Sequence, residues 1–91
     1  MKKVEIIIQQ RFFEELRELM NKQGIMNYSV LDISKGHGDK GDSLDYGFLV
    51  DHNIKIFSIC SEDEYLIFKE KIGVYVKSVD GLIYASTIEI L

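Results

Sequence analysis

A glycine-rich stretch in the middle of the chain holds most of the side chains that could do chemistry. Residues 34–53 contain four of the seven glycines and both histidines, and Gly36-His37-Gly38 follows directly on a strand-like segment. Glycines at this spacing allow backbone N–H groups to approach an anion closely, and Lys35 or Lys40 could add positive charge. Two turn glycines would show the same spacing, because the third glycine and the helix of a dinucleotide-binding fingerprint are absent.

The same stretch offers nitrogen and oxygen ligands for a metal ion. Their spacing matches none of the common zinc or calcium motifs, and carboxylates in a loop are usually just solvated. We therefore predict no metal site, while metal binding by this loop stays open as an alternative. The residues concerned are His37, Asp39, Asp42, Asp45, Asp51 and His52.

The sequence does not assemble a nucleophile with a base. Cys60 lies late in an apolar segment, which predicts an inert thiol in the core. A pairing of this cysteine with a histidine would lack a third group to orient it. We therefore predict that the protein is not an enzyme and requires no cofactor.

Length and composition set the class of protein. Ninety-one residues with 46% hydrophobic content predict a single domain, residues 1–91, with a modest core. The net charge of −4 argues against nucleic-acid binding, which needs a basic surface. The single cysteine is typical of a reducing cytoplasm, and no apolar run approaches the roughly 18 residues of a membrane span. We expect a cytoplasmic protein without direct membrane insertion.

The first half of the chain predicts a strand, a helix and a second strand. Residues 4–9 alternate in a way that predicts an inner strand with both faces buried. The period then changes to that of an amphipathic helix, which Gly24 is placed to end in a left-handed conformation. Residues 25–34 predict the second strand. The apolar face of the helix comprises Phe12, Phe13, Leu16, Leu19 and Met20.

The second half repeats this order. Residues 54–60 predict a third strand, and Ser61 with Glu64 forms a capping-box motif for the helix that follows. The residues Val79-Asp80-Gly81 predict a turn, and residues 82–91 predict a fourth strand. The apolar side of the second helix comprises Tyr65, Phe68, Ile72 and Val76.

The predicted order is β-α-β-loop-β-α-β. Right-handed crossovers place both helices on one face of a four-stranded antiparallel sheet, which is an α+β, ferredoxin-like sandwich. The other sheet face is then uncovered although it is too apolar to face water, so we expect it to pack against other copies of the chain. The residues expected on this face are Ile7, Tyr28, Ile59 and Tyr84.

Several segments resemble the PII signal-transduction superfamily. The opening K-K-V-E-I-I-I, the segment N-K-Q-G-I at residues 21–25 and S-V-L-D-I-S-K-G-H-G at residues 29–38 are similar to the first half of that family. The segment D-G-L-I-Y-A-S at residues 80–86 resembles the family's D-G-K-I-F-V-S. The resemblance covers nearly the whole chain.

The resemblance implies a homotrimer that binds an adenine nucleotide (AMP, ADP or ATP) in the clefts between subunits. It also implies a T-loop, about residues 36–50, that docks on a membrane transporter or a metabolic enzyme. By position, the ligand-binding residues would be Ile7, Ser29, Gly36, His37, Gly38, Lys40, Asp80 and Gly81. The partner-binding residues of the loop would be Asp39, Gly41, Asp42, Leu44 and Tyr46.

The chain also departs from the family pattern. Leu82 stands where the family has a phosphate-contacting lysine, so AMP, ADP or another small anion is favoured over ATP. The departures point to the divergent PII-like group that is associated with transporters for bicarbonate or other small solutes. Two alternatives remain: a metal-responsive trimer that uses His37, His52 or loop carboxylates, and a constitutive interaction module that has no small-molecule ligand.

Overall fold

A computed structural model describes residues 1–33 and 52–91 of the chain. Strand β1 (Lys2–Gln9) leads through a 3-10 turn (Gln10–Phe12) into helix α1 (Phe13–Lys22). Strands β2 (Ser29–Asp32) and β3 (Asn53–Cys60) follow. Helix α2 covers residues 62–78 and is α-helical at Glu62–Ile67, π-helical at Phe68–Ile72 and α-helical at Gly73–Ser78. Strand β4 (Leu82–Thr87) ends the part of the fold with regular structure.

Among the described residues the strands form a four-stranded sheet in the order β2-β3-β1-β4, with every neighbouring pair antiparallel. This is the ferredoxin-like sandwich that the sequence predicts. The central strand β1 alternates strictly, with Val4, Ile6 and Ile8 buried and the residues between them only half-buried. The prediction that both faces of β1 are buried is therefore wrong for the single chain.

The core lies between the helices and one face of the sheet. Side chains from β1 and β3 pack there against α1 and α2, and the largest are fully buried because both helices present an apolar stripe. The turn after α1 has the expected left-handed glycine, with Gly24 at φ +82°. The helical side of the core comprises Leu16, Met20, Phe68, Ile72 and Val76, each at most 2% exposed.

Helix α2 begins with the predicted capping box and contains a π-helical turn that was not predicted. The side-chain oxygen of Ser61 accepts a hydrogen bond from the Glu64 N–H, and the Glu64 carboxylate accepts one from the Ser61 N–H. Its three buried apolar residues, Phe68, Ile72 and Val76, are four residues apart. Because four residues overshoot one α-helical turn by about 40°, the wider π-helical turn keeps them on one face.

The bounds of two strands and the placement of one residue differ from the predictions. Strand β2 covers Ser29–Asp32 and not residues 25–34, because Ile25 leaves the sheet to enter the core, where it is 2% exposed. Tyr28 precedes β2 and packs against the core, so it does not lie on the open sheet face. Strand β4 ends at Thr87, although the sequence predicts it to Leu91.

Candidate functional site

A cleft of about 500 Å³ lies where four elements meet. Its walls come from the end of β1, the first turn after it, the start of β3, and the turn between α2 and β4. Asn53, the first residue of β3, belongs to the lining of this cleft. The lining comprises Ile7, Gln9, Arg11, Phe12, Asn53, Ser78, Val79, Asp80 and Leu82.

The strand register explains why these residues share one cleft. Ile7 on the central strand lies opposite Leu82 of β4, and Gln9 lies opposite Asn53 of β3. The pairing continues one step beyond the strand, because the Gln10 N–H donates to the His52 carbonyl at 2.7 Å. The sheet therefore fixes one wall of the cleft before any ligand arrives.

Asp80 lies in the turn between α2 and β4, which forms the wall of the cleft opposite the sheet. Its φ of +61° is left-handed, a conformation that aspartate adopts more readily than most residues. The Asp80 N–H donates to the Lys77 carbonyl at 3.1 Å, and the Gly81 N–H donates to the Val76 carbonyl at 2.8 Å. The exposed Asp80 side chain is thereby held at the mouth of the cleft.

Gly81 has a packing role of its own. A Cβ built there would lie 2.5 Å from Ile8 Cγ2 and 3.0 Å from the Ile7 carbonyl oxygen. Only glycine allows β4 to start this close to β1. Gly81 is not among the residues that line the cleft, so its assignment as a ligand contact stays a prediction.

Among the described residues of the cleft lining, Arg11 is the cationic one, and the sequence analysis did not identify it. Its Nε donates to Gln9 Oε1 at 3.2 Å, and its guanidinium carbon lies 4.9 Å from the centre of the Phe12 ring. Arg11 therefore brings a planar cation to the lining of the cleft, to which β4 contributes the uncharged Leu82. Arg11 lies two residues past the end of β1, and no sequence motif marks it. Phe12 and Asn53 were missed in the same way.

Ser29 is not part of this cleft. It lies on β2, opposite Phe57 of β3, and β3 separates it from β1. Neighbouring strands are about 4.8 Å apart, so β2 and β1 are separated by roughly 10 Å. Within one chain, Ile7 and Asp80 come together and Ser29 does not.

The remaining predicted site residues lie outside the described parts of the chain. Within residues 1–33 and 52–91, no group of three or more His, Cys, Asp and Glu side chains is arranged to hold a metal ion. Cys60 is 1% exposed, and burial raises the pKa of its thiol, as expected for an inert core residue. The undescribed predictions are Gly36, His37, Gly38, Asp39, Lys40, Gly41, Asp42, Leu44 and Tyr46.

The open face of the sheet carries a polar cluster within an apolar surround. Lys55 Nζ lies 2.7 Å from Glu5 Oε1, and the Tyr84 hydroxyl donates to the same oxygen at 3.2 Å. The hydrogen bond from Lys55 lowers the pKa of the Glu5 carboxyl and raises that of the Lys55 ammonium. Around this cluster, Ile59 is 37% and Leu82 55% exposed.

The described helices include none that is long and apolar enough to cross a membrane.

Comparison with known proteins gives a family match over almost the entire chain. The model of the family described as nitrogen regulatory protein P-II matches residues 1–89. A search of curated protein sequences gave no match.

Solved structures with the same fold include a PII-like protein in several ligand states. CPII from Thiomonas intermedia K12, described as a nitrogen regulatory PII-like protein, is similar with a TM-score of 0.71 and 20% identity in the structure with ADP, AMP and bicarbonate. That match covers 98% of this chain and 90% of CPII. A protein from Thermus thermophilus, described as PII-like and signalling, has a TM-score of 0.68 and 18% identity, covering 96% of this chain and 84% of its own.

Proposed function

Because the chain belongs to the nitrogen regulatory protein P-II family, we propose that it is a regulatory protein that senses an adenine nucleotide. In this proposal it acts as a homotrimer without catalytic activity, and the nucleotide binds in the cleft at Ile7, Arg11 and Asp80. The T-loop then carries the signal to a membrane transporter or a metabolic enzyme.

The cleft is the observation that carries the proposal. Its volume of about 500 Å³ lies within the roughly 300–1,000 Å³ that is usual for small-molecule sites. It combines apolar side chains, Ile7 and Leu82, with the amides of Gln9 and Asn53 and the guanidinium of Arg11. A base needs apolar surface and amide groups, and a phosphate needs a planar cation, so this set suits a nucleotide.

The trimer supplies what the single chain lacks. Ser29 is separated from the cleft by β3 in its own chain, so it can reach a nucleotide only from a neighbouring copy. The open sheet face supports such an assembly, because it exposes Ile59, Leu82 and Leu31, which is 50% exposed. Covering this face adds burial that a chain of 91 residues otherwise lacks.

The charge of the cleft favours nucleotides with few phosphates. The described lining contains the cation of Arg11 and the anion of Asp80, and Leu82 adds no charge. The charge of a triphosphate would therefore be only weakly neutralised, while AMP or ADP requires less positive charge. The ligands in the structures of CPII, ADP and AMP among them, support this choice.

The output is assigned to the T-loop, about residues 36–50. An effector can act only through a difference in its affinity for two states of the protein. We assign the partner contacts to Asp39, Gly41, Asp42, Leu44 and Tyr46, and the phosphate contacts of the loop base to Gly36, His37, Gly38 and Lys40. The cytoplasm is the compartment proposed, in keeping with the thiol of Cys60.

Isothermal titration calorimetry with AMP, ADP and ATP tests nucleotide binding. The expected result is saturable heat with up to one nucleotide per chain, and tighter binding of ADP than of ATP. Arg11→Gln should weaken ADP binding by about tenfold, which is the contribution of one charge-assisted contact. The matched control is Arg17→Gln, since Arg17 lies on α1, pairs with Glu14 at 2.6 Å and does not line the cleft.

Two results would contradict the proposal. One is the absence of heat with all three nucleotides from a protein that light scattering shows to be a trimer. The other is equal weakening by Arg11→Gln and Arg17→Gln, which would place the nucleotide elsewhere. The regulatory output is tested by partner binding from membrane and soluble fractions, with and without ADP. A partner bound equally in both conditions would indicate a constitutive module.

A further inference from the structure

A second cavity, of about 170 Å³, lies between α2 and the outer side of β4. It shares no lining residue with the cleft described above, so the proposed nucleotide site does not account for it. Its apolar lining includes Val4 and Phe68, each 2% exposed, and the partly buried Ile83. This volume is close to the roughly 150 Å³ of a cavity that holds a benzene ring.

The π-helical turn of α2 borders this cavity. Phe68 begins that turn, and Gly73 follows it directly, and both line the cavity. A Cβ at Gly73 would lie 3.3 Å from the Phe68 carbonyl oxygen and 4.0 Å from Ile83 Cγ2, so the missing side chain keeps space between the helix and β4. Turns of this type occur frequently at functional sites.

The rim of the cavity is cationic. Of the residues that the structure describes, Lys69 and Lys77 line it and no acidic residue does, although the chain as a whole carries a net charge of −4. A third cation is close, because Lys2 Nζ lies 5.1 Å from the centre of the ring of Tyr65, another lining residue. An apolar floor beneath a positive rim is complementary to a small molecule that has an apolar body and one negative charge.

We propose that this cavity is a second effector site, which binds a small carboxylate with a ring or branched apolar body. The body occupies the space next to Phe68 and Gly73. The carboxylate lies at the rim, between the ammonium groups of Lys69 and Lys77. Since the cavity lies on β4, and β4 also begins the wall of the cleft at Leu82, one strand borders both sites.

Titration of the ¹⁵N-labelled full chain with benzoate, followed by NMR, tests this assignment. The expected amide shifts are at Lys69, Gly73 and Ala85 and not at Arg11 or Asp80. Benzyl alcohol, a neutral molecule of similar shape, should bind about fivefold more weakly, the effect of losing two exposed ion pairs.

Three variants sharpen the test. The double variant Lys69→Gln/Lys77→Gln should weaken benzoate by about fivefold and leave benzyl alcohol unchanged. Lys71→Gln is the matched control, because Lys71 is on the same helix and does not line the cavity. Ala85→Leu should fill the space and abolish binding of both molecules.

The assignment is overturned by any of three results. These are shifts that centre on Arg11 and Asp80, equal affinity for benzoate and benzyl alcohol, and no saturation by either molecule at millimolar concentration. The last result would show that the cavity is closed in the assembled protein. None of them bears on ADP binding by the cleft, so the two proposals fail separately.

Discussion

The two faces of the sheet are built from the same strands and serve different purposes. On the covered face, Ile6 and Ile56 lie opposite each other, and each is 1% exposed. On the open face, the next pair along, Ile7 and Lys55, is only half-buried, and Leu82 beside it is 55% exposed. Along each inner strand, residues therefore alternate between a face that is buried against the helices and a face that remains partly exposed.

The two faces also differ in how strongly their side chains restrict what can pack against them. The covered face needs only shape and apolar volume, and its one buried polar side chain among the described residues, Ser58, donates to the Asn27 carbonyl at 2.7 Å. The open face places Glu5, Lys55 and Tyr84 at its centre. In the proposed assembly, a second copy has to cover these charged groups without breaking their pairing, which restricts the arrangements in which it can dock.

The largest effect is expected from truncation of the covered face. Ile6→Ala should lower the free energy of unfolding by about 2–5 kcal/mol, the usual cost of removing a buried isoleucine side chain. Ile7→Ala is the matched change on the open face. Urea unfolding at a dilution where light scattering shows single chains should reveal the loss for Ile6→Ala and little loss for Ile7→Ala, and light scattering at higher concentration should show weaker assembly for Ile7→Ala. The same behaviour for both variants would break the distinction between the faces.

Gly81→Ala tests how closely β4 must approach β1. The added Cβ would meet Ile8 Cγ2 at 2.5 Å, so we expect a loss of about 1–3 kcal/mol in the free energy of unfolding from overpacking. Gly24→Ala is the control: it has a positive φ and open space around it, and it should cost about 1 kcal/mol. Calorimetric melting measures both, and a smaller loss for Gly81→Ala would show that the start of β4 yields easily.

Tyr75 joins the two helices above the covered face. Its hydroxyl donates to Glu15 Oε1 at 2.7 Å, and burial together with this bond raises the pKa of Tyr75 to about 12. Because the pKa is raised in the folded protein, the contribution of Tyr75 to the free energy of unfolding is present below pH 10 and is lost as the pH rises toward 12. Tyr75→Phe should lower the free energy of unfolding by about 1 kcal/mol at pH 7 and reduce the further loss of stability at alkaline pH. An unchanged alkaline profile in urea unfolding would contradict this assignment.

The smallest effect is expected from the polar cluster of the open face. The pKa of Glu5 is lowered in the folded protein, so its contribution is present above the pKa of the unfolded chain and disappears as the pH falls through the folded value. Glu5→Gln should therefore reduce the loss of folding stability between pH 6 and about 3, measured by urea unfolding at each pH. Glu18→Gln on α1 is the exposed control and should leave the profile unchanged.

The elements whose periodicity reflects burial were the easiest to predict. Helix α1, β3 and the capping box of α2 follow from local pattern, because their buried residues recur at the period of the structure. The length of β2 did not follow, since Ile25 is apolar in either setting and only the tertiary packing decides that it enters the core. The π-helical turn was also not predicted, because single spacings of four residues, as between Phe68 and Ile72, occur in ordinary α-helices as well.

The candidate site could be predicted only in part. Ile7 and Asp80 were found through a family resemblance, and the structure brings them to one cleft. Arg11 was missed because its place in the cleft lining follows from the turn after β1 and not from a motif. Ser29 lies on the far side of β3 from the cleft, so the contact predicted for it stays a prediction that involves a second copy.

The most direct test of the central claim is native mass spectrometry of the protein with ADP. The account predicts an assembly of three chains, each of 10.5 kDa, that carries up to three ADP molecules. It also predicts that Arg11→Gln yields the same assembly with less ADP bound. A single chain that retains ADP would show that the cleft is complete within one copy. A trimer that retains none would contradict the proposed nucleotide-sensing function.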